Sequence, residues 1–579
     1  MLIDRLFLIF SIIRTSSYIR SSSNNANLSF ILTIAFCKLL IMGNCQNNPL
    51  PVDTFFGFPT ALPTWPTGGG FGSGEMDLGG LQIRKVSTFK KIWTSYQSGM
   101  NNFGATFFEP DPIPDGFSML GSYAQTNDQP LFGWNFVGKS DGTDILKQPT
   151  DYTLVWSDTS TTESAYFWLP IPPDGYKAVG FVITTTADKP SLDKIRCVRS
   201  DFTDESEIEA WIWGQGGMNV YGSRPKTRGT KAQQLSVGAF LVQTDNYTDT
   251  LPCLKNNNST VSAAPNLSQI KAVFNTYSPY IYFFSKENYL PSSVNWFFSN
   301  GALLYKKDDE SNPVGIEADG SNLPQGGSND GEYWIDLPGG KNERRRVQGG
   351  DLQNAEAYLH SKAVLGGAFT DIQVWIFYPF NGHATAKLGI IHEISLGKIG
   401  EHVGDWEHVT LRISNFDGVL YRVYFAAHAG GTWVDASLLE YAGGGGAANK
   451  FVGYASHNGH AAYFQAGEYV QGPGEVGIRN DTGKSDMVMD TGASFTVVAA
   501  DGLSAAEGVV EPAWLEYARE WGPKISYDFG KEVKRLERWL PGKLKSLFKK
   551  LVEKLPEEVY GEEGPTGPKM KSSWDGDEI

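Results

Sequence analysis

From Ile83 to about Val498 the apolar residues come in short runs rich in Val, Ile, Phe, Tyr and Trp, separated by Gly, Pro, Asn and Ser. That is the pattern of short strands joined by tight turns. Leu131–Val137, Tyr152–Trp156 and Ala178–Ile183 are examples. In the segment Asp405–Ile413 the alternation is regular. As a strand it puts Asp405, Glu407, Val409, Leu411 and Ile413 on one face, and Trp406, His408, Thr410 and Arg412 on the other. Past Trp521 the period changes to that of a helix. Leu544, Leu547, Phe548, Leu551 and Leu555 follow a 3.6-residue spacing, and Pro541-Gly542 separates them from Val533, Leu536 and Leu540. Between Lys524 and Lys554 stand ten Lys and Arg against four Asp and Glu, which predicts two basic amphipathic helices before a polar tail.

The fold class this predicts is mainly β, in two bodies. Residues 42–82 are a Pro/Gly-rich lead-in, and 83–255 a β-repeat, prism-like domain. A polar linker at 256–269 leads to a β-sandwich over 270–522, with an exposed insertion at 306–349, and helices and tail occupy 523–579. A repeat is visible in the first body: Val179-Gly180-Phe181 precedes Cys197 by much the interval at which Val237-Gly238-Ala239 precedes Cys253. The two cysteines then hold equivalent core positions, so they read as small buried hydrophobes rather than as a disulfide.

Composition narrows the function classes. A formal charge of -15 excludes a general nucleic-acid binder, which needs a concentrated basic face. Four cysteines in 579 residues make no disulfide framework, and none has the spacing of a zinc site. The N-terminus carries two messages. Leu28–Met42 is an apolar run shorter than a membrane span, far from Met1 for a signal sequence. Met42-Gly43-Asn44-Cys45 has the form of a lipidated start, with Gly43 and Cys45 as acceptors, although Asn47 stands where the pattern wants Ser or Thr. Residues 1–41 are then an upstream extension or a leader. The first reading puts the protein in the cytoplasm, peripheral on an endomembrane or plasma membrane; the second opens the secretory route.

All eight histidines fall between His360 and His460, which localises metal or proton chemistry there. Its centre is Gly-Glu-His-Val-Gly-Asp-Trp-Glu-His, residues 400–408. Two carboxylates withdrawn from water on one strand face need a compensating cation. Hard oxygen donors favour calcium, magnesium or manganese, and His402 in the preceding loop is placed to coordinate directly or through water. His428 and His408 are candidates for the rim. A structural ion pair with a basic side chain is the competing interpretation. His457 and His460, in Ser-His-Asn-Gly-His, read as polar turn residues. His392-Glu393 lacks the second histidine of a zincin because Leu396 stands there, and Gly138-Lys-Ser-Asp-Gly142 lacks the helix of a nucleophile elbow.

Ser164-Ala-Tyr-Phe-Trp-Leu-Pro-Ile-Pro-Pro-Asp-Gly-Tyr176 resembles the repeated element in the adaptor-binding region of the vacuolar protein sorting-associated protein 13 family. That resemblance implies a module that binds short peptides of sorting machinery, with Trp168 and Tyr176 lining the groove, although a packed corner would use the same residues. Tyr-Ser-Pro-Tyr, Tyr-Leu-Pro-Ser-Ser-Val, Tyr-Pro-Phe-Asn-Gly, the 400–408 motif and Ala-Ser-His-Asn-Gly-His-Ala-Ala-Tyr together resemble the plant members of the vacuolar protein sorting-associated protein 62 family, also called domain of unknown function 946. This family implies a link to vacuolar sorting without a defined activity. His402–Glu407 is also similar to the heptapeptide of necrosis- and ethylene-inducing-like proteins, β-sandwich cytolysins that hold a divalent cation and engage sphingolipid headgroups. Asp405 and Glu407 match the metal ligands of that motif and His402 its first histidine, Gly404 replaces its second histidine, and Asn381 stands where a further aspartate is expected, which adds His402 and Asn381 as candidate ligands.

These readings predict a non-enzymatic, membrane-associated sorting adaptor. It binds peptide motifs and contacts anionic lipid or sphingolipid through a calcium or magnesium site. A metal-dependent hydrolase using His402, Asp405, Glu407 and His428 is the first alternative, and a lytic or defence-related lipid-binding protein the second.

Overall fold

A computed structural model describes residues 49–140, 142, 144–160, 163–258, 263–389, 393–427, 430–444, 447–472, 476–524, 527–553 and 564–578. Gly43, Cys45, His392 and His428 lie outside them. The chain is mainly β; among the described residues the helices are few, and two of the three that reach 11 residues lie close to the C-terminus.

The first body is a threefold repeat, where the sequence pattern reveals two copies. Each copy contributes a three-stranded sheet built on a long hairpin: Phe89–Ser95 with Ala105–Pro110 and Tyr123–Thr126, Asp151–Asp158 with Ala165–Ile171 and Val182–Thr184, and Ser206–Gln215 with Met218–Pro225 and Leu241–Thr244. Each also contributes a second small sheet from its first, middle and last strands. The three hairpin sheets meet in an aromatic core of Trp93, Phe107, Phe167, Trp213 and Phe240. In the small sheets, Val137 pairs with Met119, Val198 with Lys177 and Leu254 with Leu235. Phe136 is therefore the counterpart of Cys197 and Cys253. Both cysteines are free and buried, as the repeat argument expects. Gly121, Gly180 and Ala239 each stand two residues before the third hairpin-sheet strand. There is no space between them: a Cβ on Gly180 would lie 2.5 Å from Gly121 Cα and 2.6 Å from Leu120 O.

The second body is organised by one six-stranded sheet. Its strands are β1 (Ala357–Val364), β2 (Phe369–Asn381), β3 (His402–Ser414), β4 (Leu420–Ala427), β5 (Gly430–Asp435) and β6 (Phe495–Ala500), in the order β5-β4-β3-β2-β1-β6. β6 runs parallel to β1 and the other neighbours are antiparallel. β1 and β2 are buried along their whole length, and nearly all of β3 is buried too. One face packs Leu359, Ile372, Val374, Val409, Leu411 and Val423 against a second sheet and the helix Leu267–Tyr277. That helix begins in the expected linker, its first turn closed by a capping box between Asn266 and Gln269. The lead-in runs along the same core, packing Phe56, Phe58, Leu62, Trp65 and Phe71 against it.

The other face of the sheet changes character along its strands. At one end Tyr358, Trp375, Phe377 and Trp406 join Trp514 and Trp521 in an aromatic cluster. The expected exposed insertion contributes Ile316, Leu323, Ile335, Leu337 and Val347 to that cluster, so it is in part a cover for the sheet. At the other end the face is polar, and residues 573–578 lie across it. The bodies meet where Trp134 and Phe136 pack on Phe369 and Phe416, with centroids 5.3 and 5.0 Å apart.

The basic helices form as the periodicity predicts, at Phe529–Trp539 and Gly542–Val552. Leu536, Phe548 and Leu551 pack on Ala386, Leu388, Leu396 and Ile399, so the apolar faces belong to the fold. Trp539, at the end of the first helix, is 82% exposed.

The crowding at the repeat axis makes a direct prediction. Gly180→Ala should destabilise the protein by about 1–3 kcal/mol, because the obstructing atoms are backbone that cannot turn aside. Gly57→Ala, where a Cβ meets nothing within 4 Å, should stay within about 0.5 kcal/mol. Urea unfolding of the two variants checks both.

Candidate functional site

β2 and β3 pair in long antiparallel register, Ile376 opposite Glu407, Tyr378 opposite Asp405 and Asn381 opposite His402. Asp405 and Glu407 share the face of Val409 and Leu411, as the period-two reading requires. Gly404, immediately before Asp405, has φ +68°, and a Cβ there would lie 2.3 Å from Trp521 O. No larger residue fits that position, which is the physical reason for glycine in the motif.

The partner of the acidic pair is His460. Its Nδ1 donates to Asp405 Oδ2 at 3.0 Å, while its Nε2 lies 3.9 Å from Glu287 Oε1, an ionic approach longer than a hydrogen bond. Tyr378 stacks on its ring at 3.9 Å, and only 1% of the residue is exposed. His460 is held in a left-handed turn with φ 55°, closed by its own N–H to Ser456 O. Glu287 accepts from the amides of Asn288, Tyr289 and Asn458. The expected polar turn histidine is therefore the buried cation of the site.

Electrostatics follow from this geometry. Burial opposes charge on His460, but the hydrogen bond to Asp405 and the attraction of Glu287 and Asp405 outweigh it and raise the imidazolium pKa to about 10. Burial pushes the Asp405 carboxyl up, yet the His460 bond and nearby positive charge hold it below its ordinary value. Glu287 is likewise held low against its burial, chiefly by His460. Glu407 goes the other way: burial and the Asp405 charge push it well above the usual carboxylate range. The imidazolium is thus shared by the Asp405 and Glu287 carboxylates, Lys571 adds positive charge towards Asp405 and Glu407, and Glu407 favours its protonated form.

The remaining expected residues divide. The His402 ring is part-exposed, its Nδ1 donates to Gly404 O at 3.2 Å, and its Nε2 stands 3.9 Å from Asp405 Oδ1; burial pushes its pKa down. Asn381 is buried and donates to Gly382 O and Gly400 O. His408, expected at the rim, is on the opposite face of β3, where its Nε2 lies 3.2 Å from both oxygens of Glu578. Trp168, expected in a peptide groove, is a core residue packed with Met119, Tyr152, Val182 and Ile195, its indole N–H donating to Thr184. Tyr176 is half-buried, its hydroxyl bonded to Asp144 O and its ring under Lys147 Nζ at 5.0 Å. Among the described residues no three His, Cys, Asp or Glu converge as a ready-made metal cage.

The family model of vacuolar protein sorting-associated protein 62 matches residues 52–578, which spans both bodies, the site and the tail. The chain belongs to this family. No curated protein matches it significantly. The structure of GNIP1Aa from Chromobacterium piscinae is 18% identical with a TM-score of 0.26, covering 31% of this chain and 38% of that one. Necrosis and Ethylene inducing Protein 2 from the causal agent of cocoa's Witches Broom disease is 14% identical with a TM-score of 0.18, over 33% and 67% of the two chains. NLPPya in complex with glucosamine is 13% identical with a TM-score of 0.20, over 40% and 80%.

A histidine whose pKa is raised in the folded state stabilises fully below its unfolded value, near 6.5, and loses that contribution as pH climbs through about 10. His460→Gln should therefore cost about 3 kcal/mol at pH 6, and the gap from the parent protein should narrow steadily towards pH 10. Urea unfolding across that range measures it, and a gap independent of pH would contradict an imidazolium at this position.

Proposed function

We propose that this member of the vacuolar protein sorting-associated protein 62 family is a non-enzymatic adaptor that works at a cytoplasmic membrane surface in vacuolar protein sorting. The family supplies the sorting context. The observation that most supports a membrane role is the hairpin Phe529–Val552. On a chain of net charge -15 it exposes Lys531, Lys534, Arg535, Arg538, Lys543, Lys549 and Lys550, and it carries the exposed Trp539 at its bend. Its apolar face packs on the body, so contact with lipid would be made by the basic outer face. An anionic leaflet attracts each such side chain by about 1 kcal/mol, and an indole suits the headgroup layer. No helix among the described residues is long and apolar enough to cross a membrane, so the attachment proposed is peripheral.

The acidic site would serve the same surface. A divalent cation, calcium or magnesium, would supply the positive charge that Asp405 and Glu407 lack, with His402 and Asn381 beside it. Its binding would draw the proton from Glu407.

Two measurements test these readings. Vesicles containing phosphatidylserine should co-sediment the protein in low salt and release it in high salt. Lys534→Glu with Arg538→Glu and Lys543→Glu should cut binding at least tenfold, and Trp539→Ala several-fold; a parent protein that stays in the supernatant overturns the membrane role. In calorimetric titration, calcium or magnesium should bind saturably and be lost in Asp405→Asn and Glu407→Gln. If neither ion binds the parent protein, His460 alone compensates the carboxylates and the cation reading fails.

A further inference from the structure

The polar half of the central sheet is built as a receptor. Across the register, His360 stands beside Gln373 and Thr410, and Lys362 beside Asp371 and Arg412. These six side chains form two rows on one buried face, with His408 next to them. An ordinary sheet face buried this deeply is apolar, since an unpaired buried charge is costly. Each row here is instead matched by the segment Trp574-Asp575-Gly576-Asp577-Glu578.

The match is made residue by residue. Trp574 stacks on His360 with centroids 3.8 Å apart. Lys362, 0% exposed, donates to Ser573 O and Gly576 O. Arg412 holds Asp371 in a two-bond fork of 2.8 and 2.7 Å and reaches Asp577 Oδ1 at 2.8 Å. Arg228, from the repeat domain, takes the other Asp577 oxygen at 2.8 Å. Glu578 accepts from Thr410 and from Gln373 and faces His408. Attraction and hydrogen bonding to His408, then the Lys362 charge and the Thr410 bond, hold its carboxyl down at about 2 against its burial. The recognition is that of a peptide ligand: one aromatic anchor, two carboxylates read by forked or convergent donors, and main-chain carbonyls read by an ammonium.

We propose that this groove is a binding site for acidic peptides of the form Trp-Asp-Gly-Asp-Glu, occupied in cis by the chain's own tail and taken in trans by an equivalent segment of a protein partner. Displacing the tail would open a site that reads side chains. This proposal assigns peptide binding to the sandwich. The inference is independent of membrane attachment, since the groove and the hairpin are read out by different probes.

The test uses a fluorescein-labelled Ser-Ser-Trp-Asp-Gly-Asp-Glu-Ile peptide and anisotropy. Three full-fold proteins are compared: the parent chain, a chain ending at Lys571, and the full chain carrying Asp577→Asn with Glu578→Gln to weaken the cis contact. The peptide should bind the shortened and the weakened proteins saturably, at least tenfold tighter than the parent. A peptide with both matching carboxylates amidated, or with Trp replaced by Ala, should lose at least tenfold on either. Absence of binding to both altered proteins while circular dichroism shows them folded overturns the proposal, as does binding indifferent to the peptide's carboxylates. Should the shortened chain not fold, the weakened full-length protein decides alone. Unfolding of both would make the tail an integral part of the fold and overturn the proposal equally.

Discussion

The structure turns on β3, a strand buried on both faces that nevertheless carries Asp405, Glu407, His408 and Arg412. Charge in such a place is tolerated only when a counter-charge is fixed beside it. On one face His460 is delivered by a strained turn and pinned under Tyr378. On the other Asp371, Asp577 and Glu578 answer Arg412 and His408. The two faces are solved differently: the first is left with more carboxylate than cation, the second is neutralised by a segment far along the chain. That asymmetry underlies the two proposals, a small cation for the first face and a peptide for the second.

What the sequence reveals depends on how local the cause is. The β3 parity is readable because a strand's period is fixed at two, and it places Asp405 and Glu407 together without any knowledge of partners. The helices Phe529–Trp539 and Gly542–Val552 are readable for the same reason, since their periodicity, Asp528 cap and Pro541 break are all local. His460 is not, because Ser-His-Asn-Gly-His has the composition of a solvated turn and only the tertiary fold brings it to Asp405. The Asn-Gly step followed by the buried run Ala461-Ala462-Tyr463 was its one signal. The first repeat copy escaped because Phe136 stands where the later copies have Cys197 and Cys253, though Gly121 keeps its place at the axis. Trp168 shows where local pattern leaves a choice open: a proline-flanked tryptophan suits a groove or a packed corner, and strand pairing with Leu154 and Val182 selects the packed corner.

The tail misleads most. Ser-Ser-Trp-Asp-Gly-Asp-Glu is polar, acidic and glycine-containing, the composition of a solvated terminus. Its burial becomes favourable only on a surface that already holds Lys362, Arg412, Arg228 and His408, and those residues come from both bodies. Sequence patterning cannot assemble a receptor from strands and loops so far apart, and nothing in the tail's own periodicity announces the match.

This arrangement also bears on how the two bodies stay together. Their apolar contact runs through Trp134, Phe136, Phe369 and Phe416, and Arg422 adds a bond to Glu209 at 2.8 Å. Asp577 then bridges Arg228 of the repeat domain and Arg412 of the sandwich with 2.8 Å contacts on each side. A carboxylate between two partly or fully buried guanidinium groups both attracts each and relieves their mutual repulsion, so its removal would be felt twice. Withdrawal of the tail would therefore do more than uncover a groove: it would remove a carboxylate bridge between the two bodies, leaving Arg412 on Asp371 and Arg228 on Glu207. A partner peptide presenting an aspartate at the same point would restore the bridge between Arg228 and Arg412.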